Sequence, residues 1–147
     1  MGKKKAANMP LAEQPCPCGS GLTYGKCCEP LHEGEPAASP EALMRSRYTA
    51  YALRLDGFVL ASWDKKTRPE ELFVDGEPRP KWFSLKVEST RVEGDKGYVT
   101  FLAKARTAMG VITIHECFLS RTPRGRCVTP LAYQHLGIEQ LGQQSLL

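Results

Sequence analysis

Four of the six cysteines lie in one stretch, Cys16-Pro-Cys18-Gly-Ser-Gly-Leu-Thr-Tyr-Gly-Lys-Cys27-Cys28, with the spacing C-x-C-x8-C-C. Thiolates are soft ligands, and zinc takes four of them at tetrahedral corners, about 2.3 Å from each sulfur. Two close cysteine pairs joined by a turning loop can supply this set, because the glycines between them allow tight turns. Four protein thiolates leave no coordination position open. The spacing therefore predicts a single structural zinc ion rather than a catalytic one.

Two other interpretations of these residues stay open. The thiols could be unliganded or redox-active, and His32, four residues after Cys28, could replace one cysteine as a ligand. We favour metal binding because residues 1–40 hold a single aromatic residue, Tyr24, and cannot build a core unaided. A structural zinc contributes about 10–16 kcal/mol of folding free energy, so we expect this segment to be disordered without metal. We expect His32 to be a surface residue in a linker.

The composition limits the class of protein. The chain has 147 residues, a formal net charge of +4 and 41% hydrophobic residues, which suits one ordinary domain with a small appendage. Its apolar runs are shorter than the ~18 residues needed to cross a bilayer, and the residues after the lysines at positions 3–5 do not form a signal-peptide core. We therefore expect a cytoplasmic protein without membrane insertion, with its thiols kept reduced.

The elements that must position the cysteines follow from changes in composition along the chain. Hydrophobic residues concentrate after residue 40, and a polar stretch containing Pro and Gly separates them from the cysteines. We expect a flexible basic N-terminus at residues 1–14, a zinc module at 15–31, a linker at 32–38, a globular domain at 39–133 and a tail at 134–147.

The globular segment opens with a helix signal. Ser39 can cap the first turn and Pro40 fits the first helical position. Met44, Tyr48 and Tyr51 then recur on one apolar face. The pattern predicts a helix that ends near residues 56–57, followed by a short helix or turn at residues 58–63.

After residue 81 the hydrophobic period changes to two, which predicts an antiparallel meander. The strands would cover residues 82–92, 98–106, 111–121 and 127–131. Helices followed by such a meander indicate an α+β fold. The side chains expected on the inner face of the sheet are Phe83, Leu85, Val87, Val99, Phe101, Ala103, Ile112, Ile114, Phe118 and, on the same face, Glu116.

The cysteine stretch closely resembles the SEC-C motif, the zinc-binding module of the SecA translocation ATPase and of many other bacterial proteins. The stretch Leu43-Met-Arg-Ser-Arg-Tyr-Thr-Ala-Tyr51, with Trp63, Trp82 and His115-Glu116-x-Phe118 further on, resembles the YchJ family of SEC-C proteins. The resemblance implies a cone-shaped α+β fold similar to nuclear transport factor two, which is cystatin-like, for residues 39–131. It also implies that the zinc ligands are Cys16, Cys18, Cys27 and Cys28.

A charged residue on the inner face of the sheet requires a partner, because an unpaired buried carboxylate is costly. Arg47, at the edge of the helix stripe, could pair with Glu116 inside the cone. The alternative is a small-molecule or enzyme pocket lined by Arg47, Tyr48, Trp63 and Glu116. The sequence contains no nucleophile triad, phosphate-binding loop or paired-carboxylate pattern. We therefore assign no catalytic residue and favour a protein that is not an enzyme.

The sequence supports three functional hypotheses. The first is an adaptor whose zinc module presents Leu22, Tyr24 and Lys26 to a protein partner. The SEC-C module of SecA contacts the SecB chaperone, so the resemblance implies a chaperone- or ribosome-related partner. The second hypothesis is a ligand or substrate in the cone pocket. The third is nucleic-acid or ribosome association through the lysines at residues 3–5 and the turn Arg121-x-x-Arg124-x-Arg126.

Overall fold

A cysteine-rich module precedes helices and one antiparallel sheet in the computed structural model, which describes residues 9–72 and 78–120. The module contains two 3-10 turns, Leu11–Glu13 and Tyr24–Lys26. The helices are α1 at Glu29–His32, α2 at Pro40–Leu53 and α3 at Asp56–Ala61. The strands are β1 at Lys81–Glu93, β2 at Lys96–Thr107 and β3 at Gly110–Ser120. The predicted α+β class is confirmed.

Residues 9–14 belong to the module, although the sequence places them in a flexible N-terminus. The Tyr24 amide donates a hydrogen bond to the Gln14 carbonyl at 2.9 Å. The side-chain amide of Gln14 donates in turn to the Met9 carbonyl at 2.8 Å. These bonds anchor the segment to the turn that precedes the second cysteine pair.

Helix α2 forms where the sequence predicts it. The Ser39 hydroxyl accepts a hydrogen bond from the Ala42 amide at 3.1 Å and so caps the first turn. The helix ends at Leu53, before the predicted boundary at residues 56–57, because Arg54 adopts the left-handed conformation with a φ of 63°. Helix α3 therefore begins earlier than the sequence suggests.

The sheet has the strand order β1-β2-β3, and both neighbouring pairs are antiparallel. Its inner face packs against α2. Val99, Phe101 and Phe118 on that face are fully buried, and Glu116 lies opposite Phe101 on the same face, as predicted. The core of the molecule therefore lies between α2 and the sheet.

One predicted inward side chain, Phe83, lies on the other face. The pairing of β1 with β2 shifts between Trp82 and Ser84, which marks a β-bulge. The bulge brings the Trp82 ring edge-on to the Tyr48 ring, at a centroid distance of 6.1 Å. Phe83 is 46% exposed, and the Arg106 guanidinium lies over its ring. The prediction for Phe83 is wrong because strict alternation along a strand fails at a bulge.

Several sequence predictions concern residues outside the described part of the chain. These are the lysines at positions 3–5, the basic turn at 121–126, the fourth strand at 127–131 and the tail at 134–147. Among the helices of residues 9–72 and 78–120, none has the length and apolar character needed to cross a membrane.

Candidate metal centre

The four sulfur atoms of the cysteine motif lie together, all within 4.8 Å of one another. The Cys18 and Cys27 sulfurs are 3.5 Å apart, and those of Cys27 and Cys28 are 3.9 Å apart. A tetrahedron with metal–sulfur bonds of about 2.3 Å has its corners about 3.8 Å apart. The cluster therefore has the spacing of a four-thiolate metal site. Cys16, Cys18 and Cys28 are buried, and Cys27 is half-buried.

The loop after Cys16 turns tightly enough to aim two sulfurs at one point. The Gly19 amide donates to the Cys16 carbonyl at 3.1 Å, and the Cys16 amide donates to the Leu22 carbonyl at 2.9 Å. Gly19 and Gly21 have φ angles of 78° and 91°, a region that side chains with a Cβ rarely adopt. The glycines noted in the sequence are therefore required by the turn.

Hydrogen bonds within the cluster separate the pKa values of its thiols. Bonds from Cys16 and Cys28 lower the pKa of Cys18 well below its usual range. The pKa of Cys28 is raised above its usual range, mainly by its hydrogen bond with Cys16, and burial raises the pKa of Cys27 to about 11. These directions favour a thiolate on Cys18 beside protonated Cys27 and Cys28. Ionising the whole set requires a compensating cation, which a divalent metal ion supplies.

Helix α2 contacts the cluster through two side chains that sequence reasoning missed. Arg45 donates to the Cys18 carbonyl at 2.8 Å and pairs with Glu41 at 2.8 Å. The Thr49 hydroxyl lies 3.7 Å from the Cys16 sulfur. Both residues belong to the stretch at residues 43–51 that resembles the YchJ family. Their place in that stretch is the sequence feature that could have indicated a role at the cluster. The cysteine-rich module and the helix are joined directly at the site.

The sequence predicts that His32 is a surface residue in a linker, and the structure shows that this prediction is wrong. His32 ends helix α1, and its Nε2 donates to the Ser46 carbonyl at 2.8 Å. Its Nδ1 lies 2.7 Å from the Tyr24 hydroxyl, and its ring packs edge-on against Phe58. Burial lowers the pKa of His32 below its ordinary value. The neutral ring, with Nδ1 accepting from Tyr24, therefore joins the module to α2 and α3.

The predicted partner-contact residues separate into two groups. Leu22 is 52% exposed and Lys26 is exposed, so both lie on the surface of the module. Tyr24 is only 4% exposed, because its ring packs inside the module beside His32. Tyr24 is therefore a core residue, and its prediction as a surface contact is corrected.

The predicted ion pair between Arg47 and Glu116 does not form. Arg47 is fully buried and donates from Nη1 to the Val59 carbonyl at 2.9 Å and to the Ser62 hydroxyl. The guanidinium also lies over the Trp63 ring, 5.1 Å from its centroid. Arg47 thus turns toward the end of α3, whose carbonyl oxygen accepts the bond, while Glu116 is half-buried on β3.

The predicted pocket residues do not line an open cavity together. Tyr48 and Trp63 are each 1% exposed and belong to the core. A surface groove of ≈ 640 Å³ lies instead between the segment at residues 31–37 and helix α3. Arg47, Tyr48, Trp63 and Glu116 are not among its lining residues.

Comparison with known proteins identifies both parts of the chain. The SEC-C motif model matches residues 14–30, and the model of the middle NTF2-like domain of YchJ matches residues 39–121. A UPF0225 protein of Xanthomonas oryzae pv. oryzae is 42% identical over 101 residues, which cover 68% of this chain and 78% of the relative. A UPF0225 protein of Deinococcus radiodurans is 49% identical over 84 residues, covering 56% and 62%.

Two solved structures share the fold. The solution structure of a SEC-C motif containing protein from Rhodopseudomonas palustris is 35% identical with a TM-score of 0.65, covering 78% of this chain and 94% of that one. The crystal structure of a SEC-C motif containing protein from Psychrobacter arcticus is 24% identical with a TM-score of 0.62, covering 76% and 73%. The YchJ domain model spans more than half of the chain, and the cysteine cluster lies within the SEC-C match. The chain therefore belongs to the YchJ family of SEC-C motif proteins.

Proposed function

We propose that this protein is a cytoplasmic zinc-binding adaptor, in which one structural zinc ion shapes the module that a protein partner recognises. The observation that supports it best is the cluster of four sulfurs within 4.8 Å of one another. Zinc is the usual ion for four cysteine thiolates in a tetrahedral site. Four protein ligands leave no position for a substrate, so the ion stabilises structure rather than performing chemistry. The described cysteines form no disulfide, which suits a reducing compartment.

The surface of the module supports the adaptor role. Leu22 lies on the loop between the cysteine pairs and is 52% exposed. Lys26 is exposed on the 3-10 turn that precedes Cys27. An exposed apolar side chain and an exposed cation on the same small module fit a partner segment that combines an apolar residue with a carboxylate. Resemblance to the SEC-C module of SecA favours a chaperone- or ribosome-related protein.

Metal analysis tests the zinc centre. We expect the purified protein to contain about one zinc ion per chain, because one tetrahedral site uses all four thiolates. Cys18→Ser removes a fully buried ligand and should leave little bound zinc, whereas Cys117→Ser changes a half-buried thiol outside the cluster and should retain it. Elemental analysis after gel filtration measures both. Zinc far below one per chain, or full zinc in Cys18→Ser, contradicts the proposed centre.

Affinity capture from the native host lysate tests the adaptor role. Leu22→Ser and Lys26→Glu should remove a specifically co-purifying protein while the zinc content stays unchanged. Val92→Ser, near the end of β1 and outside the module, alters a side chain of similar exposure, 54%, and should retain the partner. If the captured proteins are the same for all three variants, the module is not the recognition surface.

A further inference from the structure

The groove beside helix α3 has the size and lining of a small-molecule site. Its volume of ≈ 640 Å³ falls within the range of about 300–1,000 Å³ typical of such sites. The walls are largely apolar, with Leu31 and Pro36 on one side and Phe58 and Ala61 on the other. Leu43 of α2 also lines it. The groove lies outside the four-cysteine cluster and uses none of its ligands.

Cations outnumber carboxylates along this groove. Lys65 and Arg68 line it, and Glu35 is the acidic residue of the lining. None of these three belongs to a salt bridge among the described residues. His32 also faces the groove, but its ring is neutral because burial lowers its pKa. The lining therefore carries a net charge of about +1 near pH 7.

Arg68 is held in place with part of its donor capacity unused. Its Nη2 donates to the Trp63 carbonyl at 3.0 Å, which fixes the guanidinium at the wall of the groove. Its Nε is buried and has no hydrogen-bond partner in the described part of the chain. The guanidinium carries five N–H donors, so an acceptor in the groove can bind it while its bond to the Trp63 carbonyl is kept.

A second guanidinium adds positive potential behind the groove. Ser62 lines the groove, and its hydroxyl accepts a hydrogen bond from the fully buried Arg47. The Nε and Nη2 of Arg47 have no hydrogen-bond partner among residues 9–72 and 78–120. Arg47 forms no salt bridge with a carboxylate in that part of the chain. In a poorly screened interior its charge attracts an anion toward the Ser62 side of the groove.

We propose that this groove binds a small organic monoanion, a carboxylate on an apolar body, with the carboxylate held by Arg68 and Lys65. The planar guanidinium matches the two oxygens of a carboxylate, and Lys65 adds a point charge. The apolar body packs against Leu31, Pro36 and Phe58. A single carboxylate matches the net charge of the lining side chains, and the Arg47 guanidinium behind Ser62 adds to its attraction.

Titration of the full-length, ¹⁵N-labelled protein by NMR tests the proposal. The probes are octanoate and indole-3-acetate, each compared with its neutral amide, octanamide or indole-3-acetamide. We expect the acids to shift the amide signals of Phe58, Ala61 and Ser62. We also expect them to bind at least about tenfold more tightly than the amides, because a charge-assisted hydrogen bond is lost with the charge.

Variants separate this site from unspecific binding. Arg68→Gln and Lys65→Gln should each weaken acid binding about tenfold, whereas Lys66→Gln, an exposed neighbour outside the lining, should not change it. Ala61 is exposed and lines the groove, so a tryptophan side chain in Ala61→Trp should fill the groove and abolish binding. This variant still tests the proposal if Arg68→Gln does not fold. Equal affinity for acids and amides, shifts confined to another surface, or absence of binding at millimolar concentration would each overturn the proposal. Tighter binding of octyl phosphate than of octanoate would also overturn the carboxylate assignment.

Discussion

Two hydroxyl groups contact the cysteine sulfurs, and one of them comes from the neighbouring domain. Ser20 lies within the motif, 3.1 Å from the Cys27 sulfur. Thr49 lies on α2, fully buried, with its hydroxyl 3.7 Å from the Cys16 sulfur. A hydroxyl that donates to a thiolate stabilises its charge and holds its orientation. Groups of this kind around a metal site affect its affinity by about 10- to 100-fold.

Replacing Thr49 by Val should therefore weaken zinc binding about tenfold, because the shape is kept while the donor is lost. Competition with a chelator of known zinc affinity measures the effect. Thr113→Val is the matched control, since Thr113 is exposed on β3, and it should leave the affinity unchanged. Equal zinc affinity in Thr49→Val and wild type would show that the hydroxyl does not act on the metal site.

His32 predicts a loss of stability in mild acid. Burial lowers its pKa in the folded protein below the unfolded value of about 6.5. Between these two pKa values the unfolded chain binds the additional proton, so the free energy of unfolding falls as the pH drops below about 6.5. Wild type should therefore lose more thermal stability between pH 7.5 and pH 5.5 than His32→Gln does.

Thermal melts of wild type and His32→Gln across that range measure the difference. If His32→Gln loses as much stability in acid as wild type, protonation of His32 does not contribute.

The four cysteines of the candidate metal centre could be grouped from the sequence because their spacing is local. Sequence reasoning missed the roles of His32 and Tyr24 because both depend on how the module packs on α2. The Tyr24 hydroxyl and the Ser46 carbonyl each form a hydrogen bond with one nitrogen of the His32 ring, although Tyr24 and Ser46 are far apart in the chain. A single histidine in a polar, Pro-rich stretch carries no sign of such a position.

At the scale of elements, the hydrophobic period predicts the three described strands and their inner face, but it cannot locate the bulge in β1. The backbone shift between Trp82 and Ser84 exchanges the faces of two adjacent aromatic residues. Trp82 then packs against Tyr48 of α2, and Phe83 turns toward Arg106. Alternation alone assigns the opposite arrangement, because both residues are large and apolar.

Alanine substitutions distinguish the two arrangements. Trp82→Ala should lower the free energy of unfolding by about 2 kcal/mol, less than the cost at a fully buried site because Trp82 is half-buried. Phe83→Ala should cost less than about 1 kcal/mol, because Phe83 is 46% exposed. Urea denaturation followed by circular dichroism measures both. A larger loss in Phe83→Ala would contradict the bulge and restore strict alternation.

At the scale of the whole molecule, the cysteine-rich module and the α+β domain share one hydrophobic core. Cys16, Cys18 and Cys28 belong to the same cluster of buried residues as Met44 and Phe101. Composition alone suggests two units joined by a linker, since the linker residues are small and polar. Ala37 within that linker is only 4% exposed, and contacts from α2 to the cysteine loops complete the joint. Composition therefore separates the cysteine module from the α+β domain along the chain, but the two pack together in the structure.

Metal removal should consequently destabilise the entire molecule. Without the ion the cysteine loops lose the bonds that fix them, and a structural zinc contributes about 10–16 kcal/mol to the folding of small modules. The loops in turn hold one side of α2 through Arg45 and Thr49, so their disorder exposes the buried face of that helix. Chelation should lower the midpoint of thermal unfolding and increase amide hydrogen exchange in α2 and in β2, which lies beneath it.

The control is to return zinc to the same sample after chelation. Adding zinc after the chelator is removed should restore both the unfolding midpoint and the protection of α2. Chelator treatment of Cys18→Ser should have little further effect, because a ligand is already absent. If the exchange of α2 and β2 stays unchanged while the cysteine loops become mobile, the α+β domain folds independently of the metal. The core that the cysteine module shares with the α+β domain would then contribute little to the stability of that domain, although the cysteines are buried against it.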